Sequence, residues 1–361
     1  MSEASVAVIC GGEEYESAAS ELAGYIEQIT GTRPELARGS GASTEAKQVF
    51  AVGPPSDNAV TKILDDFLDG AITSALSGAQ AIAVWPVAHE GKRYVVLAGA
   101  NPVSTLWAVY AYLQEFCHVG LFQDGEYVPK GDLPFDGKPF VSAPGFADRK
   151  GPPSVGTGHW GLKKFYPRFW TLDETKRELR WMAKRRMNMT IVSMGVSGGL
   201  TDEVSRRACE AIGYPIGPPT QEVLDVSGFP TTWSWPPELR TRMTQETLAY
   251  ARDLGIRFVY GIAPGQVPLE FKAKYPDLRY VEAERWSHAE IHPDDPSYGT
   301  FLKQYVRELI ETFGTDHLYF ANPYCETSPE ATADANFELK TKAAVRFLEP
   351  VSYTHLTLPT N

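Results

Sequence analysis

The sequence predicts an α/β protein: a small N-terminal α/β sandwich domain, then an incomplete (β/α)8 TIM barrel of about four strand–helix units. Three observations predict it. Short apolar runs alternate with amphipathic helical segments along the whole chain, the pattern of layered α/β domains. From Phe146 onward the order is a regular repeat of strand then helix, as in half of a barrel. Leu318-Tyr-Phe-Ala321 is apolar without alternation, so it reads as a strand buried on both faces, and it breaks at Asn322-Pro323 shortly before Glu326. α/β barrels keep their chemistry just past the carboxyl ends of such strands. The competing reading of Glu326 is a helix-start charge, because Ser328-Pro329-Glu330 has the order of an N-cap, a proline at N1 and an acidic first turn.

In chain order, residues 6–9 read as a strand. Residues 14–30 form an amphipathic helix with Leu22, Tyr25, Ile26 and Ile29 on one face and Gly31 as its C-cap. Strands follow at 49–52, 81–84 and 94–98, with helices at 60–68 and 103–116, the latter opened by Asn101-Pro102. The expected N-terminal domain is 1–138, and a Pro/Gly-rich junction spans 129–144. The barrel half, 139–350, takes strands at 146–149, 189–194, 256–262 and 318–321. Its helices fall at 172–186, 245–254, 301–313 and 331–348. Residues 351–361 depart from this grammar and are expected to be a non-native tail, so the chain is expected to be a C-terminally truncated fragment.

With 361 residues there is enough chain for two domains and a sizeable core. A net charge of −11 argues against a nucleic-acid partner. No apolar run approaches the roughly 20 residues that span a bilayer, so no membrane partner is expected. The N-terminus lacks a basic and an apolar signal region, which implies a cytoplasmic location unless the start is trimmed. Cys10, Cys117, Cys209 and Cys325 are scattered, which argues against a zinc site or a disulfide framework.

Gly156-Thr-Gly-His-Trp-Gly161 matches a dinucleotide loop in spacing only, because Pro152-Pro153 precede it where a strand is required. It reads as a barrel loop bearing His159 and Trp160. Asn188-Met-Thr190 is a glycosylation sequon opening a strand that should be buried, so modification is not expected. Asp295-Pro296 reads as an N-cap and N1 pair. Trp233, Trp235 and Trp286 lie outside periodic segments, where sugar stacking and loop packing are both open. Arg285 reads as a solvated charge.

Several of these stretches resemble the α-N-acetylglucosaminidase family, glycoside hydrolase family 89. They are Tyr-Leu-Gln-Glu-Phe-Cys117, Arg177-Glu-Leu-Arg-Trp-Met-Ala183 and Ala263-Pro-Gly-Gln-Val-Pro268. The most specific are Pro293-Asp-Asp-Pro296 and the run from Arg307 through Phe-Gly-Thr-Asp-His to Tyr319. The resemblance implies a retaining exo-α-glycosidase acting on terminal α-linked N-acetylglucosamine, with Glu326 as general acid/base and no cofactor or metal. It further implies Asn188, Trp233 and Trp286 as sugar contacts. The family has Asn before the glutamate where this chain has Cys325, a thiol in place of an amide that contacts substrate. The nucleophile is expected on a later strand, and no residue of the chain is assigned to it, so the chain alone is expected to be inactive. The alternatives are an α-glucuronidase, a substrate-assisted hexosaminidase, or a carbohydrate-binding homologue without catalysis.

Overall fold

The computed structural model describes residues 6–39, 44–122, 125–141, 171–193, 200–215, 237–262, 265–281, 288–321, 323 and 333–353. They form two compact units: Met1–Arg149 with Arg180–Met187, and Lys150–Leu179 with Asn188–Asn361.

The first unit contains β1 (Val6–Cys10), α1 (Glu16–Thr30), β2 (Glu35–Arg38), β3 (Gln48–Val52), α2 (Ala59–Phe67) and α3 (Ala71–Ala75). It continues with β4 (Ile82–His89), β5 (Lys92–Gly99), α4 (Pro102–Glu115), β6 (Gly120–Phe122), β7 (Gly125–Tyr127) and β8 (Phe140–Val141). Its sheet has the order β2-β1-β3-β5-β4-β8, with β2, β1, β3 and β5 parallel and β4 antiparallel to both neighbours. Central strand β3 is buried along its whole length, because helices cover both of its faces. Phe50 meets Tyr112 of α4 edge-on at 5.2 Å on one face, while Ala51 packs with Leu64 and Ile72 on the other. That two-sided burial explains why the strand sequences do not alternate. α1 starts two residues later than expected, after a short 3-10 turn at Glu13–Tyr15, and ends on Gly31 as its C-cap. β8 pairs with β4 and carries this sheet to Val141, beyond the boundary expected at 138.

The second unit holds α5 (Leu172–Lys184, its last turns grouped with the first unit), β9 (Met189–Ser193), α6 (Leu200–Ala211), α7 (Pro237–Asp253) and β10 (Arg257–Ile262). After β10 come β11 (Gln266–Pro268), α8 (Leu269–Lys274), β12 (Tyr280–Val281) and β13 (His288–Ile291). The last elements are α9 (Tyr298–Phe313), β14 (Leu318–Ala321) and α10 (Ala333–Tyr353). β9, β10 and β14 form a parallel sheet with β10 in the middle. The inserted strands form a separate antiparallel sheet, β11-β13-β12.

Three expectations shift. α7 begins at Pro237 rather than 245, with the proline at a position where its missing N–H costs no hydrogen bond. α6 was not foreseen, because the side chains it buries (Val204, Ala208 and Cys209) are mostly small and leave a faint apolar stripe. α10 runs through Pro350 to Tyr353, into the stretch read as a tail. The expected strand at 146–149 lies outside the described residues.

Candidate active site

The strand that leads toward Glu326 is held at its start by a half-buried polar network. Asp316, two residues before β14, accepts from the backbone N–H of Phe258 on β10 and from Arg252 Nε at the end of α7, both at 2.9 Å. Arg252 also donates to Phe313 O at 3.2 Å and to the Tyr260 hydroxyl at 3.2 Å. The Tyr260 hydroxyl donates to the carbonyls of Phe313 and Gly314 at 3.3 and 3.1 Å. Burial raises the Tyr260 pKa to about 12, with Arg252 pulling it partly back. Burial works against the Arg252 charge, but the Asp316 hydrogen bond and charge outweigh it and raise its pKa. The network sets the pairing of Val259 with Leu318 through Ile262 with Ala321, and so where the chain leaves the sheet.

A second polar cluster precedes α9. Asp295 accepts from Ser297 Oγ at 2.6 Å, Ser297 N at 2.8 Å and Arg279 N at 2.7 Å. Burial raises its pKa, but these bonds and His292 outweigh that and leave it lowered. Asp295 is therefore not the N-cap expected: its side chain closes a turn on Ser297, and the helix starts at Tyr298. Asp294 pairs with Lys342 of α10 and lies 3.6 Å from Arg279 and 3.8 Å from His292. With their oxygens engaged by these partners, both carboxylates act as struts. At the exit of β10, Gly265 has φ +86° and a Cβ there would sit 2.7 Å from the Tyr298 ring and 2.9 Å from Ile291 O, so only glycine fits this turn. Among the described residues no group of three or more His, Cys, Asp or Glu is arranged to hold a metal, and no helix is long and apolar enough to cross a membrane.

Of the residues singled out in the sequence, Glu326, Cys325, Trp233, Trp235, Trp286, Arg285, His159 and Trp160 lie outside the described residues. Asn188 lies within them, and its position corrects the expectation of a sugar contact. It is buried one residue ahead of β9, and its carbonyl accepts from Arg257 N at 2.9 Å. That is the N-terminal edge of the parallel sheet. The route toward Glu326 leaves the opposite edge, about 16 Å away at roughly 3.3 Å per strand residue. Asn188 and Thr190 are both buried, which closes the sequon to modification. Sequence reasoning missed the Arg252–Asp316–Tyr260 network, because its partners are some 60 residues apart and no local pattern links them.

In the first unit the strand order reverses at β1, which lies between β2 and β3. Open α/β sheets bind ligands in the crevice at such a point. Here Asn58 fills it: its Nδ2 donates to Ile9 O and Val52 O, both at 3.0 Å, and its Oδ1 caps α2.

Comparison with known proteins adds to this geometry. The family model described as the α-N-acetylglucosaminidase (NAGLU) TIM-barrel domain matches residues 163–353, just over half of the chain. Human (Homo sapiens) α-N-acetylglucosaminidase is 22% identical over 353 residues, covering 87% of this chain and 44% of the human protein. The family 89 glycoside hydrolase from Clostridium perfringens, in complex with 2-acetamido-1,2-dideoxynojirmycin, aligns with a TM-score of 0.60 at 17% identity, over 93% of this chain and 36% of that one. The Streptomyces plicatus N-acetyl-β-hexosaminidase in complex with Thio-NAglucal aligns with a TM-score of 0.55 at 14% identity, over 97% and 60%. The chain thus spans less than half the length of the human protein. At these identities the two structural likenesses speak for the fold.

Proposed function

The chain belongs to the α-N-acetylglucosaminidase (NAGLU) TIM-barrel domain family, and we propose that it carries the acid/base part of a retaining, exo-acting α-N-acetylglucosaminidase site. Glu326 protonates the leaving glycosidic oxygen while a second carboxylate, about 5–5.5 Å away, attacks the anomeric carbon. In the second step Glu326 takes a proton from water, which displaces that carboxylate and frees the sugar. The substrate is a glycan ending in α-linked N-acetylglucosamine. Trp233, Trp286 and Cys325 are assigned to sugar contact, and Asn188 is not. No residue of this chain is assigned as the nucleophile, and the mechanism calls for no metal or cofactor.

The observation that carries this reading is the parallel arc β9-β10-β14, with β14 ending at Ala321, five residues before Glu326. We further propose an N-terminal domain that runs to β8 at Val141 rather than to 138, followed by the first four barrel units. The exposed stripe on α10 supports further units beyond these four: Phe337 is 74% exposed, and Val345 and Leu348 are each 55% exposed. In a full barrel the next helix covers such a face.

The test is Glu326→Gln in the protein expressed from its full reading frame. On a substrate with a poor leaving group kcat/KM, which reports the first step, falls by about 10²–10⁴-fold, and much less with an activated aryl leaving group that needs no protonation. An unchanged kcat/KM on the poor leaving group overturns the assignment. The likeness to the Streptomyces hexosaminidase favours a second reading, substrate-assisted cleavage. That mechanism needs the substrate acetamido oxygen as nucleophile, so an N-trifluoroacetyl substrate slows it sharply and leaves the two-carboxylate mechanism nearly unaffected.

A further inference from the structure

The hairpin of β6 and β7 presents an aromatic face that the proposed catalytic chemistry does not use. Its register pairs Gly120 with Tyr127, Leu121 with Glu126 and Phe122 with Gly125. Successive strand residues point to opposite faces. Leu121 is buried, and Glu126 accepts from the Tyr25 hydroxyl at 2.5 Å, so both belong to the inner face. The outer face is then Gly120, Phe122, Gly125 and Tyr127: two glycines and two aromatic rings set diagonally. Phe122 is 65% exposed and Tyr127 64%.

The glycines make this face a platform. A Cβ on Gly120 would meet the Phe122 ring at 2.5 Å and Tyr127 Cβ at 3.4 Å. The Phe122 ring therefore lies across Gly120, beside Tyr127, where any other residue would lift it away. Gly125 has nothing within 4 Å of its own Cβ position. The result is two exposed rings on one face of the hairpin, the Phe122 ring laid across Gly120.

We propose that Phe122 and Tyr127 form a carbohydrate-stacking surface that takes sugar rings of the glycan. The identification as a glycan rests on the family reading above. Three observations favour this occupant. Aromatic faces bind flat ligands with apolar C–H or π surfaces, chiefly sugars and nucleobases. A net charge of −11 repels the phosphates that accompany nucleobases. The area is also small: two aromatic side chains bury about 150–250 Å² each when fully covered, well short of the roughly 800 Å² per partner of a stable protein interface. The Tyr127 hydroxyl adds a donor and acceptor for sugar hydroxyls.

Saturation-transfer NMR and calorimetry on the present chain test this with N-acetylglucosamine oligomers as the probe. Transfer to the sugar ring protons is expected, with millimolar affinity. Phe122→Ala and Tyr127→Ala should each weaken it by about five-fold or more. Gly120→Ala should weaken it too, by displacing the Phe122 ring, while Glu326→Gln should leave it unchanged. Near-UV circular dichroism of each variant checks that the fold is kept. The proposal is overturned if no oligomer binds at millimolar concentration. It is also overturned if binding survives both alanine variants but is lost in Trp286→Ala, or if Phe122→Ala changes the sedimenting mass, which would make the rings an interface between copies. The glycosidase reading fails separately, through the Glu326→Gln turnover experiment.

Discussion

At the scale of single residues, Asp295 has the most testable role. Three hydrogen bonds from Ser297 and Arg279 favour its charged form and lower its pKa from the ordinary 3.8. A carboxyl with a lowered folded pKa contributes stability above its unfolded pKa and loses it as pH falls through the folded value. Asp295→Ala should therefore cost about 2 kcal/mol near neutral pH, shrinking below about pH 4, as urea unfolding at pH 7 and pH 3 would report. Equal losses at both pH values would mean that the charge is irrelevant. Asn188 teaches the complementary lesson. The sequence already put it before a strand starting at residue 189, at the edge away from barrel chemistry, and the resemblance alone had assigned it to the sugar. Glu326 was legible as a candidate because its position after a buried apolar run has a meaning in parallel sheets.

At the scale of elements, the Arg252–Asp316 pair binds α7 and β10 to the start of β14. The Asp316 side chain is 11% exposed and that of Arg252 33%. Removing one partner of such a pair leaves the other uncompensated. Asp316→Ala should cost about 3 kcal/mol, and the double variant with Arg252→Met less than the sum of the two single changes. Chemical denaturation of the four proteins checks this, and strict additivity would refute the coupling. The regular helices were legible because their apolar residues recur every three or four positions, as in α9 with Phe301, Leu302, Tyr305, Val306 and Leu309. The two- to four-residue strands β11, β12 and β13 were not, because so short a run carries no period. Their pairing depends on partners up to 24 residues away.

At the scale of the molecule, buried ionisable groups make it alkali-sensitive in both units. Burial raises the thiols of Cys117 and Cys209 from the ordinary 9.0 to about 12, with Tyr112 lowering Cys117 part of the way back. Burial likewise raises Tyr260 from 10.0 to about 12. Groups whose folded pKa is raised contribute stability that is complete below the unfolded pKa and is lost as pH rises through the folded value. Stability should hold to about pH 9 and fall between there and about pH 12, and Cys209→Ala should flatten that limb. A flat stability profile to pH 12 would contradict the burial.

Local sequence was enough to read the α/β class, the long helices and the apolar parallel strands, because a helix or a buried strand writes its environment into a repeat over a few residues. The family resemblance rested on short contiguous stretches of the same kind. Only the tertiary structure could reveal that Asp316 reaches β10, that Asn58 closes the crevice of the first sheet, and that the Phe122 ring lies across Gly120. Each of these depends on residues brought together by folding, and the distance between two side chains in space is not a property of either stretch of sequence.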